Sequence, residues 1–204
     1  MNHMKGKIDA VTLIETYGTL YSEALEIDLE RHDEQELFKW FLAAILFGKR
    51  ISEKIAIKTY IEFAKNRVTT PDRILETGWD GLVRILDDGR YVRYDFSTAT
   101  TLLDIARTLK ERYGGLTELY EAATDPRDLE TRLQEFKGIG PVTTNIFLRE
   151  LRVAWPKSDV AVSPFVKEVA GRLGIDLLKH DRHTKEFMRL ECALFKVRKK
   201  KGAT

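Results

Sequence analysis

At 204 residues, with 43% hydrophobic and 32% charged side chains, the chain has the length of one domain or two small ones and is too apolar to be disordered. Its longest nearly unbroken apolar run, Leu37 to Phe47, is interrupted by Lys39 and is too short to span a bilayer, and the N-terminal residues lack an export signal. The net charge of +2 conceals an asymmetry: residues 133–204 hold 15 Lys+Arg against 8 Asp+Glu, which suits a polyanionic partner for that part of the chain.

In chain order, apolar residues at Val11, Ile14, Tyr17, Tyr21, Ala24 and Leu25 predict one amphipathic helix over Ile8 to Ile27. Glu34 to Phe47 is apolar nearly all round, the pattern of a helix at the middle of a bundle. Gly48-Lys49-Arg50 interrupts it before a second helix, Ser52 to Lys65. Thr70-Pro71 reads as an N-cap with proline at the first helical position, opening a short helix that Gly78 ends; Trp79 to Asp88 forms another. Arg90-Tyr91-Val92-Arg93-Tyr94 then interleaves cations with rings, a composition that either stacks a base and holds its phosphate or packs on its own core. A long helix follows from about Ser97 to Tyr113, and a short one over Leu116 to Ala123. No segment alternates with period two over six or more residues, so the fold class is all-α, with about ten helices.

The densest signal is Leu133 to Arg152. Apolar residues at Leu129, Leu133 and Phe136 end one helix, and Ile146, Phe147 and Leu151 line the next, so both are joined by the short turn Gly138-Ile139-Gly140. Two glycines let the backbone reverse while Ile139 is buried between the helices. Pro141 fits a first helical position, and the free N–H groups of that terminus, at Val142 and Thr143, suit a phosphate.

At Gly138, Ile139, Gly140, Thr143, Thr144 and Asn145 the chain resembles the helix-hairpin-helix DNA glycosylases of the endonuclease III type, and the resemblance continues into Ala161 to Gly174. It implies a two-lobed helical fold, with residues 31–150 as a helical-barrel lobe carrying the hairpin and residues 1–30 plus 151–204 as the second. It implies double-stranded, lesion-containing DNA as partner, and removal of a base flipped into a cleft between lobes. The turn after the core helix would supply a residue that enters the duplex gap, with Phe47, Lys49 and Arg50 as candidates; the cations among them can also meet phosphates. With Arg90, Tyr91 and Arg93 these complete the candidate DNA contacts.

Two catalytic positions depart from the family. Its lyase lysine falls on Val142, which cannot form an imine, so strand cleavage would need another lysine, such as Lys49, Lys137 or Lys157. Its catalytic aspartate falls on Ser163, a helix-capping residue; Asp159, four residues earlier, is either the displaced carboxylate or an exposed loop residue. Cys192 alone excludes the four-cysteine iron–sulfur cluster of endonuclease III and fits a reducing cytoplasm, or the nucleoid or nucleus if the chain resides with DNA. His180 and His183 read as polar residues near a helix start, with no ligand set for a metal. The resemblance allows an alkali cation at hairpin carbonyls and calls for no other cofactor. The basic run Lys196 to Lys201 is either a solvated tail or a second polyanion contact. Oligomeric state is open, a monomer being favoured.

Overall fold

The computed structural model describes residues 9–31 and 33–201, with side chains as far as Val197, and among them every regular element is a helix. Helix α1 spans Ala10–Tyr17, α2 Tyr21–Ala24, α3 Glu34–Phe47, α4 Glu53–Lys65, α5 Pro71–Asp88 and α6 Asp95–Arg112. After these come α7 Leu116–Ala122, α8 Pro126–Gln134, α9 Pro141–Arg149, α10 Pro164–Leu173 and α11 Lys185–Lys201. Among the described residues no helix is long and apolar enough to cross a membrane.

Side-chain caps place most boundaries. Ser52, Thr70, Asp125 and Ser163 each turn an oxygen onto a backbone N–H of the following first turn, satisfying one donor that the helix itself cannot. Helix α7 lacks such a residue and is capped from a distance: the Glu34 carboxylate accepts from the N–H groups of Leu116 at 2.6 Å and Thr117 at 2.9 Å. Gly78, at φ 66° and ψ 175°, breaks α5 into two helical stretches where the sequence predicts the break. The single helix expected over Ile8 to Ile27 is corrected. It divides at Gly18, which closes α1 with a bond to the Ile14 carbonyl, and Tyr21–Ala24 forms a separate turn.

Buried apolar side chains sort into two clusters. The larger draws on Leu20 through Val160 together with Met188 and Cys192 of α11, with Trp40, Phe41, Phe63 and Phe147 almost wholly enclosed. Helix α3 runs through its middle, and Trp40 donates its indole N–H to the Phe147 carbonyl at 2.9 Å, tying α3 to α9. The smaller cluster joins Leu13 of α1 to Val166, Val169 and Ala170 of α10 and to Phe187, Leu190 and Leu194 of α11. It is therefore assembled from both ends of the described chain.

Between the clusters lies one enclosed ion pair. Arg152 and Glu191, each with side-chain exposure of 1% or less, pair through Nη1 and Oε2, while Arg152 Nη2 donates to the Val160 carbonyl at 2.8 Å. The guanidinium also lies 5.5 Å from the centre of the Phe187 ring, which belongs to the smaller cluster.

Candidate nucleic-acid interface

Helices α8 and α9 meet at the turn 135–140. Ile139 is 5% exposed and donates its N–H to the Phe136 carbonyl at 3.0 Å, so the turn is closed on itself and its apolar residue is inserted into the core. Gly138 has φ +87°, a region that L side chains rarely occupy, and a Cβ there would approach Thr101 of α6 to 2.9 Å. Gly140 is the N-cap of α9 and brings no side-chain oxygen to it. Among the described residues no cap side chain accepts from the first-turn N–H groups of α9, those of Val142 and Thr143, which a helix cannot satisfy internally. Of the hairpin carbonyls, Phe136 accepts from the Ile139 N–H and Gly140 from the Thr144 N–H, each at 3.0 Å.

The turn after α3 is seated directly against this terminus. Gly48 approaches Thr143 so closely that any Cβ would collide with the threonine hydroxyl, which fixes Lys49 and Arg50 beside the start of α9. Arg50 is exposed and Lys49 partly so. Phe47 instead turns inward, its ring 5.1 Å from that of Tyr21, which leaves Lys49 and Arg50 as the residues of this turn able to reach a duplex.

The loop 89–94 requires a correction. Tyr91 is fully buried, and its hydroxyl donates to the Leu46 carbonyl at 2.7 Å, so its ring is not available to stack on a base. What it does is anchor the loop at the end of α3 that precedes Gly48. Arg90, held at φ +68°, and Arg93 remain exposed on that loop, Arg93 lying 5.3 Å from the Tyr94 ring. Hairpin, turn and loop are thereby brought to one end of α3.

Asn145 carries the site towards the second cluster. Its side-chain amide donates to the Ala161 carbonyl at 3.0 Å, pinning the segment before α10 onto α9. Ser163 follows and accepts from Val166 N–H at 3.3 Å, so its hydroxyl serves α10 as a cap. Asp159 has other partners: Arg182 Nη2 at 2.6 Å and His183 Nε2 at 3.7 Å. Its negative charge also bears on Glu130 of α8, whose carboxyl is raised above its ordinary range first by burial and then by Asp159. His180 ends the short 3₁₀ turn Leu177–Lys179, and among the described residues no group of three or more His, Cys, Asp or Glu is placed to hold a metal.

Sequence reasoning missed a cluster on the same face of α9. Val142, Asn145 and Arg149 recur at helical spacing, and Arg149, 6% exposed, lies 5.8 Å from the Tyr21 ring and 5.1 Å from the Phe195 ring. Tyr21 donates its hydroxyl to Glu53 Oε2 at 2.8 Å, and burial, then the Glu53 charge, push its phenol well above the ordinary range. Lys196 Nζ stands 4.5 Å from the same ring. The one available signal was Arg149, a cation in an otherwise apolar stretch.

Two reactive groups are accounted for elsewhere. Lys157 donates to the Tyr120 and Ala123 carbonyls at 2.6 and 2.7 Å, capping the end of α7, which removes it from the lysines able to serve a lyase step. Burial pushes the Cys192 thiol up to about 11, so at neutral pH it is not a thiolate nucleophile. The part of the basic run beyond Val197 lies outside the described side chains. Comparison with protein-family models, with curated proteins and with solved structures finds no match.

Proposed function

We propose that this chain grips lesion-containing duplex DNA through the hairpin and the turn beside it, and acts in repair as a base-removing hydrolase of the helix-hairpin-helix type. The observation that carries the reading is the first turn of α9, which no side chain caps and which lies against the Lys49–Arg50 turn. Unpaired N–H groups and the positive end of the helix dipole favour an anion, and neighbouring cations strengthen that preference for phosphate. The likeness of residues 138–145 and 161–174 to the family supplies the chemistry; the larger apolar cluster crosses the lobe bounds that likeness implies, since it also takes in Leu20, Leu29, Leu151, Trp155, Val160, Met188 and Cys192.

Gly140 offers a clean test, because a Cβ built on it meets nothing within 4 Å. Gly140→Val is expected to leave the thermal midpoint within about 2 °C of the parent, since nothing in the core is displaced. Its side chain would stand over the donors of α9, so duplex affinity should fall at least roughly tenfold, alike for every sequence, and steeply with added salt in the parent. Unchanged affinity in Gly140→Val sinks the hairpin assignment.

In the proposed reaction, positive charge grows on the sugar as the base leaves, and a carboxylate stabilises it; Asp159 takes this role in place of the family aspartate, whose position Ser163 occupies. Val142 has no amine to attack the sugar carbon. Borohydride is therefore expected to trap no protein on abasic DNA, and efficient trapping, read as a shifted band on a denaturing gel, would assign a lyase step to Lys49 or Lys137.

A second reading, a DNA-binding module without chemistry, is favoured by one observation. The Asp159 carboxylate is already matched by Arg182 at 2.6 Å, which lowers what it can offer a developing cation.

A further inference from the structure

Away from the hairpin, the segment Leu20–Glu30, the turn after α9 and the start of α11 enclose a cavity of about 560 Å³. That volume falls in the range of small-molecule sites, which combine apolar walls with a few placed polar groups. Here the walls are apolar at Ile27, Leu29, Val153, Ala154 and Met188, and the polar lining is mostly carboxylate, with Lys185 its one cation.

The carboxylates are not equivalent. Glu150 is spent internally, accepting from the N–H groups of Tyr21 at 3.1 Å and Ser22 at 3.0 Å. Glu23 is matched by Arg189 at 2.6 Å, and Glu30 by Lys185 at 2.6 Å. Glu26 and Asp28 have no cationic partner among the described residues; the one bond of the Asp28 carboxylate is to the Glu30 N–H at 3.1 Å. Glu26 is also held at φ +58°, a left-handed conformation that side-chain-bearing residues rarely adopt. The bonds on either side of it, Glu26 N–H to Glu23 and Ile27 N–H to Ser22, impose that conformation and hold the residue in the cavity lining.

We propose that this cavity binds a small organic cation, a protonated amine carried on an aromatic or branched apolar body. The body lies on the Ile27, Val153 and Met188 surface and the ammonium at the Glu26–Asp28 edge. Two uncompensated carboxylates repel anions, and an apolar floor gives little to a bare metal ion or to a polyamine that has no apolar body. The site is independent of the DNA reading and stands or falls separately from it.

The test uses the full chain and three probes in isothermal titration: tryptamine, indole-3-propionate and spermidine. Tryptamine is expected to bind saturably at one site, with at least roughly tenfold preference over indole-3-propionate, which has the same ring and opposite charge, and over spermidine, which has charge without the ring. Tryptamine should also shift the Met188 methyl resonance. Glu26→Gln with Asp28→Asn should lower tryptamine affinity at least roughly tenfold while duplex affinity changes less than about twofold. Glu26→Gln alone, at an exposed position, serves should the double variant fail to fold, and should still weaken binding. Equal binding of the propionate, no saturable binding of tryptamine, or full tryptamine affinity in Glu26→Gln would each overturn the assignment.

Discussion

Replacing Arg152 by leucine is expected to cost about 3–5 kcal/mol of stability, the largest loss we anticipate from any single substitution. The reason is what remains. Glu191 has a side-chain exposure of 1%, and without the guanidinium its carboxylate would be enclosed with no opposite charge. The Val160 carbonyl would lose the Arg152 donor at the same time, although Arg182 also donates to it at 2.8 Å. The paired state is itself imperfect, since Arg152 Nε and Glu191 Oε1 are buried without partners. A double variant, Arg152→Leu with Glu191→Leu, should therefore recover most of the loss, because two apolar side chains leave no charge to compensate. Urea unfolding of the parent, both single variants and the double variant measures this directly. A cost below about 1 kcal/mol in Arg152→Leu would mean that Glu191 finds water or another donor.

The second large effect separates an enzyme from a binder. If the chain releases a base, Asp159→Asn is expected to slow single-turnover release at least roughly a hundredfold, about 2.7 kcal/mol in the barrier. Asparagine keeps the size of the side chain and its hydrogen bond to Arg182, so fold and duplex binding should persist while the negative charge is lost. Arg182 opposes Asp159 in the ground state, and the carboxylate acts on the sugar only to the extent that its charge is not already satisfied. The measurement is alkali-revealed abasic sites on duplexes that each contain one deaminated, oxidised or alkylated base. Equal rates in parent and variant would move the search to Glu53, the carboxylate bonded to Tyr21 beside the Lys49–Arg50 turn. No release from any duplex that is nonetheless bound would favour the non-catalytic reading.

Local signals were legible in the sequence wherever a boundary is decided by neighbours. The all-round apolar stretch Glu34–Phe47 matches α3 residue for residue, and the caps at Thr70 and Ser163 lie where short-range chemistry puts them. The turn at Gly138 was legible for the same reason. Partners distant in sequence were not. Tyr91 sits in a basic loop whose composition fits either a base-stacking ring or a core ring, and only its bond to the carbonyl of Leu46, 45 residues away, decides for the core. Arg152 and Glu191 are 39 residues apart, and nothing local marks either as buried. The helix expected over Ile8 to Ile27 failed differently, because an apolar stripe continues through Gly18 although the backbone does not. Of the candidate site, the hairpin and the two cations at Lys49 and Arg50 could be read, whereas Asp159 could be placed in a loop but not assigned its partners.

The smaller apolar cluster has a bearing on the order of events at the ribosome. Its buried members are Leu13 of α1, Val162, three residues of α10, and residues of α11, so α1 is made before every segment that covers it. The larger cluster takes nearly all its residues from Leu20 to Val160 and can begin to condense while α11 is still being translated. Throughout that interval the apolar face of α1 lacks the α11 part of its cluster, Phe187, Leu190, Ala193, Leu194 and Val197. A chain halted before Phe187 would lack half of that cluster and leave part of the α1 face open to association with neighbouring nascent chains.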